Sequence, residues 1–198
     1  IVSRGLGDAY KRQRELLTSR QGAQCLLDGG VIAYPTEAGY GLGCDPDNRE
    51  AVFRILELKS RPASAGLILI ADRLERFAPY IKPVEPSARA LALSTWPGPV
   101  TWLFPRSAAV PDWLAGVHDT IALRITAHPG CRALCEAFGG PIVSTSANPS
   151  KEEPARSAQQ AHDYFEDRLC GIVEGPLGDS DQPSEIRDLA TGAVIRGG

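Results

Sequence analysis

The feature that most limits what this chain can fold into is a series of short apolar runs, each cut off by proline or glycine. "VIAY" (31–34) stops at Pro35, "GLILIA" covers 66–71, and "WPGPVTWLFP" (96–105) places a Pro-Gly-Pro lead before its apolar residues. "TIALRI" (120–125) and "PIVSTS" (141–146) follow. Runs this short and this rich in β-branched residues are strands rather than helices. Segments of helical periodicity stand between them. Residues 8–28 set Leu16, Leu17, Ala23, Leu26 and Leu27 near helical spacing before Gly29-Gly30. Asp47 or Asn48 can cap a second helix running to Lys59, with Val52, Ile55 and Leu56 inward, and Pro62 ends it. Shorter helical patterns cover 72–80, 86–94, 129–138 and 157–166, and β patterns cover 169–174 and 184–196. This alternation predicts an α/β fold with a mixed sheet. No repeat, low-complexity tract or linker interrupts it, so 1–198 reads as a single domain, with residues 1–7 expected to be disordered.

Charge and cysteine content remove several function classes. A net charge of −3 argues against a generally basic nucleic-acid binder, although a local basic cleft remains compatible with it. The five cysteines, Cys25, Cys44, Cys131, Cys135 and Cys170, contain no Cys-x-x-Cys pair. They fit a reducing cytosol better than a disulfide framework. Cys131 and Cys135, four apart in a helical pattern, read as small apolar residues on one helix face. His118, His128 and His162 lack metal-ligand spacing, so no protein-held metal is expected. No apolar run reaches the roughly 20 residues of a membrane span, and "IVSRGLGDAYKRQRELL" is too polar for a secretory signal.

The chain carries no Gly-x-x-x-x-Gly-Lys-Ser/Thr phosphate loop, no Gly-x-Gly-x-x-Gly fingerprint and no Gly-x-Ser-x-Gly elbow. Four other pieces do carry polar chemistry. "YPTEAGYGLG" (34–43) joins a strand end to Thr36, Glu37 and three glycines. It reads either as a plain glycine-rich turn or as backbone that lets a ligand come close. "ELKSRP" (57–62) sets Lys59 and Arg61 at a helix end, where they can answer the helix dipole or clamp phosphates. "TIALRIT" (120–126) puts Arg124 on the strand face of Ala122 and Thr126, either reaching solvent or aimed at a carboxylate. In "PIVSTSANPS" (141–150), Ser144, Ser146 and Asn148 alternate at the end of a strand. They can bind a ligand or satisfy their own backbone in a turn.

Together these pieces resemble the threonylcarbamoyl-AMP synthase family of YrdC/TsaC type, which carries Lys-x-Arg and, much later, Ser-x-Asn. Here those are Lys59-Ser60-Arg61 and Ser146-Ala147-Asn148. "YPTEAGYGLGCDP", "WPGPVT", "IALRIT", "VSTSAN" and "PSEIRDLATG" extend the resemblance over residues 30 to 197. It implies a YrdC-like twisted open mixed β-sheet flanked by helices, with a large concave basic cleft. It also implies a nucleotidyltransferase that makes threonylcarbamoyl-AMP and pyrophosphate from L-threonine, bicarbonate and ATP. That product feeds N6-threonylcarbamoylation of tRNA beside the anticodon, with partner proteins of TsaB/TsaD/TsaE type, in the cytoplasm.

By the same resemblance, Lys59 and Arg61 are expected to contact the ATP phosphates and act in catalysis. Thr120, Ser146, Asn148 and Arg196 are expected to line the nucleotide site. Thr36, Arg124, Ser144 and Ser184 are expected to hold threonine, with Arg124 on its carboxylate. Mg²⁺ is expected to arrive on the triphosphate rather than on protein ligands. A non-enzymatic module that binds double-stranded RNA or ribosomal particles is the alternative reading. The sequence departs from the family pattern at two places. Lys151 stands where the family has glycine after Ser-x-Asn, which bears on the loop's backbone shape and on an ATP contact near Pro154. Residues 36–41 read Thr-Glu-Ala-Gly-Tyr-Gly where the family more often has Thr-Glu-Thr-Val-Tyr-Gly.

Overall fold

The fold was described from a computed structural model in which residues 15–197 are described. The expected disorder of residues 1–7 and the start of the 8–28 helix lie outside those residues. Helix α1 spans Ser19–Leu27. Thr18 stops it from starting earlier: its Oγ1 accepts from Gln21 N at 3.2 Å and its own N donates to Gln21 Oε1 at 2.8 Å. This reciprocal cap fixes the helix start. Leu17, expected inside the helix, instead donates its backbone N to Ile172 O at 2.8 Å and bridges Val173 as extended chain.

The remaining elements follow the expected order, with a strand at 40–43 and a short helix at 112–115 added to it. They are β1 (Ile32–Pro35), β2 (Tyr40–Gly43), α2 (Arg49–Leu58), β3 (Ile68–Ala71), α3 (Pro86–Leu93) and β4 (Val100–Pro105). After these come α4 (Asp112–Ala115), β5 (Thr120–Ile125), α5 (Pro129–Phe138), β6 (Ile142–Ser146), α6 (Ala158–Phe165), β7 (Gly171–Ile172), β8 (Glu185–Asp188) and β9 (Val194–Arg196). Residues 74–80 form 3₁₀ rather than α-helix, with Pro79 inside. The apolar run at 169–174 yields only the two residues of β7.

Strand β2 was not foreseen, because two of its four residues are glycine. Its glycines make room for a neighbouring ring: a Cβ on Gly43 would sit 2.7 Å from Tyr34 Cε1. Tyr34, on the adjacent strand, is 1% exposed, and its ring takes the space that those side chains would fill.

The strands form one sheet in the order β7-β1-β2-β6-β3-β5-β4-β8-β9. The pairs β1–β7, β3–β5 and β4–β8 are parallel and the others antiparallel, so the sheet is mixed as expected. Side-chain alternation divides its two faces. On one face Trp102, Phe104, Ile121, Leu123, Ile125 and Val143 join Val52, Ile55 and Leu56 of α2 in the larger core. On the other, Ile32, Tyr34, Ile70 and Ile142 pack under Ala23 and Leu26 of α1 and under Cys131, Leu134 and Cys135 of α5.

Helices α1 and α5 cover only part of that second face. The uncovered remainder, over β6, β3, β5 and β4, becomes a cleft. Cys131 and Cys135 serve there as buried apolar residues, as read from their spacing.

One cysteine expectation is corrected. Cys25 and Cys170 form a disulfide, with Cα atoms 6.0 Å apart and a sequence separation of 145. Helix α1 lies against the β1/β7 edge and brings the two together, so no local spacing could announce the pair. Among the described residues, no helix is long and apolar enough to cross a membrane.

Candidate active site

The floor of the cleft is one row of residues across four strands. Ser144 of β6 pairs with Ile68 of β3, Ile68 with Ala122 of β5, and Ala122 with Leu103 of β4. All four line a cleft of about 970 Å³. One row further along β3, Ile70 pairs with Arg124. The strand periodicity that put Arg124 with Ala122 is therefore observed, and Arg124 stands where the helix-covered face gives way to the open one.

Of the ten site residues expected from the sequence, Thr36, Arg61, Thr120, Arg124, Ser144, Ser146, Ser184 and Arg196 line this cleft. Lys59 and Asn148 lie just behind the lining. Lys59 Nζ donates to Ser146 O at 2.7 Å and to Asn148 Oδ1 at 2.9 Å, and also contacts Ser146 Oγ at 3.2 Å and Asn148 O at 3.1 Å. The Lys-x-Arg and Ser-x-Asn motifs, 87 residues apart at Lys59 and Ser146, are thus joined directly. Part of the alternative turn reading also holds, since Ser146 Oγ donates to Asn148 Oδ1 at 2.6 Å.

The spacing of Lys59 and Arg61 comes from how α2 ends. Ser60 N bonds Glu57 O at 3.0 Å and Arg61 N bonds Leu56 O at 2.9 Å, with Ser60 at φ 49°. This 6→1 and 5→2 pair is a Schellman turn with a left-handed residue where glycine is usual. The turn sends Lys59 toward Ser146 and Arg61 toward Gly66, whose carbonyl accepts from Arg61 Nη2 at 2.9 Å.

Three cations then share one field. Arg196 of β9 donates to Ser184 O at 2.9 Å. Burial, and after it the charge of Arg61, push the Arg196 pKa down. Burial, and again the Arg61 charge, push the Lys59 pKa down to about 8. Like charges held this close disfavour one another and favour an incoming anion. None of Lys59, Arg61 and Arg196 has a carboxylate partner among the described residues.

Arg124 differs. Its Nη1 donates to Glu37 Oε1 at 2.6 Å, and Thr126 Oγ1 donates to the same oxygen at 2.7 Å. Burial works against the Glu37 carboxylate. The Arg124 charge and the hydrogen bonds from Arg124 and Thr126 together outweigh it and hold the pKa below the usual range. Arg124 Nε is buried with no hydrogen-bond partner.

Sequence reading missed Glu37 as the partner of Arg124, though Glu37 lies next to Thr36 and was part of the quoted motif. It also missed Arg156, which lines the cleft and donates to Ala38 O at 2.9 Å across the mouth. Glu153 and Asp181 line the cleft too, so four arginines (Arg61, Arg124, Arg156, Arg196) face three carboxylates counting Glu37. The segment from β7 to β8 lies along the rim: Gly178 N donates to Thr36 O at 2.9 Å and Ser180 N to Glu37 O at 3.1 Å.

Lys151, flagged as standing for a glycine, has φ 72°. The loop keeps the left-handed backbone that glycine adopts freely, so the substitution changes the cost of the turn rather than its shape.

An open mixed sheet with one half-bare face, cations gathered at strand and helix ends, and an arginine–carboxylate pair on the same wall define a class: an open-sheet α/β protein with a charged cleft on its half-bare face. Comparison with known proteins identifies the family within that class. The Sua5/YciO/YrdC family, described as telomere recombination, matches residues 24–198, and the chain belongs to it.

A threonylcarbamoyl-AMP synthase of Coxiella burnetii (strain RSA 493 / Nine Mile phase I) is 48% identical over 173 residues, covering 87% of this chain and 93% of the relative. Among solved structures, P. abyssi Sua5 complexed with L-threonine matches with 34% identity and a TM-score of 0.82. That match covers 89% of this chain and 52% of Sua5, so the chain spans about half of that protein. E. coli YciO matches with 31% identity and a TM-score of 0.78, covering 90% of this chain and 87% of YciO. The YrdC-like sheet expected from the sequence is the observed one.

Proposed function

We propose that this chain is a threonylcarbamoyl-AMP synthase, converting L-threonine, bicarbonate and ATP to threonylcarbamoyl-AMP and pyrophosphate. The observation that carries the reading is the trio Lys59, Arg61 and Arg196: Arg61 and Arg196 line the cleft, Lys59 stands just behind Ser146 of its lining, and none has a carboxylate partner among the described residues. The relatives named for this reaction, and the relative solved with L-threonine, support it.

In this reading the threonine amine adds to the carbon of bicarbonate and water leaves, giving a carbamate. A carbamate oxygen then attacks the α-phosphorus of ATP, and the bond to the β-phosphate breaks to release pyrophosphate. No protein nucleophile takes part. Lys59 and Arg61 hold the phosphates and offset the charge that gathers on them as pyrophosphate leaves. Arg196, Thr120, Ser146 and Asn148 orient the nucleotide. Thr36, Arg124, Ser144 and Ser184 hold threonine beside it, so that much of the rate comes from positioning. Among the described residues no group of three or more His, Cys, Asp or Glu is placed to hold a metal ion. In this scheme Mg²⁺ arrives with the substrate, on the triphosphate oxygens. The product would pass to the TsaB/TsaD/TsaE-type proteins that complete the tRNA modification, in the cytoplasm.

The test is pyrophosphate release with each substrate omitted in turn. Release should require threonine, bicarbonate and ATP together, and Arg61→Ala should abolish it while leaving the melting temperature unchanged, because Arg61 is exposed. ATP breakdown that ignores threonine would overturn the reading.

A further inference from the structure

Nothing above gives the Glu37 carboxylate a task beyond pairing with Arg124. That pair is lopsided. Arg124 spends Nη1 on Glu37, while Nε is buried without a partner and Nη2 makes no hydrogen bond among the described residues. The Nε–Nη2 edge is the side of a guanidinium that takes a carboxylate through two parallel hydrogen bonds. Glu37 is lopsided in the same way. Both hydrogen bonds from other side chains, those of Arg124 and Thr126, fall on Oε1, and Oε2 accepts none from another side chain among the described residues, while the backbone N–H of Glu37 itself also favours the carboxylate.

The wall of the cleft therefore sets an unsatisfied guanidinium edge, its Nε buried, beside a carboxylate oxygen to which no other side chain donates, the two joined by one ion pair of 2.6 Å. Side-chain exposures of 8% for Arg124 and 21% for Glu37 keep both charges in a partly desolvated setting, where charged hydrogen bonds count for more than in water. A lone anion would answer only half of this arrangement and would meet Glu37 as a repelling neighbour. A zwitterion answers both halves.

We propose that Glu37 is a substrate-binding residue: its Oε2 receives the α-ammonium of the amino acid whose carboxylate lies on Arg124. The proposal rests on the amino-acid reading of the cleft and adds to it a residue that selects for the amine. Several features hold Glu37 in place for this. Thr126 fixes its Oε1, the depressed pKa keeps it ionised at neutral pH, and Ser180 N holds its backbone carbonyl at 3.1 Å. Gly178 lies so close that a Cβ there would stand 2.7 Å from Glu37 Cα, so the rim segment leaves the glutamate backbone little room to move. Glu37 would hold the protonated amine at the binding step; that proton would leave to solvent through the open cleft, and the neutral amine would then add to the bicarbonate carbon as water departs.

The test is calorimetric titration of L-threonine and of 3-hydroxybutanoate, which keeps the carboxylate and hydroxyl but has no amine. A hydrogen bond to a charged partner corresponds to about a tenfold or larger preference for threonine. Wild-type protein should show that preference, and Glu37→Gln should reduce it to near unity while still binding both ligands. If Glu37→Gln weakens both ligands equally, Glu37 serves only to position Arg124 and the proposal is overturned. It is equally overturned if the preference survives the substitution.

A measurement on unaltered protein covers the case in which the variant does not fold. ¹⁵N-labelled threonine bound to wild type should titrate above its free value, because Glu37 stabilises the ammonium, and an unshifted or lowered value contradicts the proposal. Wild-type protein that binds neither ligand would instead remove the amino-acid reading itself, and this inference with it.

Discussion

Lys59 Nζ lies 2.9 Å from Asn148 Oδ1 and 2.7 Å from Ser146 O, so the lysine of one motif is the tie that holds the loop of the other. Its amine is drawn from water, and burial with the nearby Arg61 charge places its pKa at about 8. The sign for stability runs one way and the sign for activity the other. Since the folded value lies below the ordinary 10.5, the stabilising contribution is full above 10.5 and is lost as pH falls through about 8. Phosphate binding needs the ammonium, so it weakens as pH rises through the same region. We expect kcat/KM for ATP to fall on the alkaline side with an apparent pKa near 8. In Lys59→Arg that limb should leave the accessible range. The measurement is the pH profile of pyrophosphate release.

Arg124 and Glu37 form a buried pair, and removing one partner strands the other. Arg124→Met should cost about 3 kcal/mol of unfolding free energy, the usual result of leaving a buried charge unpaired. Without Arg124 the desolvation is opposed only by the hydrogen bonds from Thr126 and from the backbone of Glu37 itself, so the Glu37 pKa rises. The variant should therefore lose less stability toward acid than wild type, whose Glu37 pKa is depressed. Urea denaturation at two pH values distinguishes the two slopes.

Lys151 holds φ 72° and Ser60 holds φ 49°. A left-handed backbone costs a residue with a Cβ about 1–2 kcal/mol, partly offset by the extra unfolded-state freedom of glycine. Lys151→Gly and Ser60→Gly should each stabilise the protein by up to about 1 kcal/mol. Lys151→Gly should leave turnover unchanged, as read by thermal melting and a pyrophosphate assay.

Gly66 has φ 71° and ψ 163°, a region almost closed to other residues, and a Cβ there would stand 2.6 Å from Ala115 O. Its carbonyl is also the anchor of Arg61. Gly66→Ala should cost about 2 kcal/mol or more and raise KM for ATP more than KM for threonine. Denaturant unfolding and steady-state kinetics check the two halves separately.

The parts of this molecule that were legible in the sequence are those set by local periodicity. Strand β5 and helix α5 match the expected 120–125 and 129–138, because alternation and helical periodicity there are local signals. Arg124 was placed on its face by the same logic. What was not legible depends on contacts between distant segments. Strand β2 looked like a glycine turn because its glycines answer the ring of Tyr34 on the next strand. The Cys25–Cys170 pair depends on α1 lying against β7. Within the described residues, 15–18 were misread as helix because apolar spacing continued past Thr18, while the cap with Gln21 decided the boundary. The site residues were recognised through motifs, yet their couplings, Lys59 to Asn148 and Arg124 to Glu37, appear only once the sheet brings the segments together.

The central claim is that this cleft joins threonine, bicarbonate and the adenylate of ATP in one product. The most direct measurement supplies ¹³C-bicarbonate with L-threonine, ATP and Mg²⁺ and follows the products by mass spectrometry. We expect a threonylcarbamoyl-AMP species that carries the ¹³C label, formed in step with pyrophosphate and lost in Arg61→Ala. Pyrophosphate without a labelled adenylate, or no turnover with all substrates present, would contradict the account.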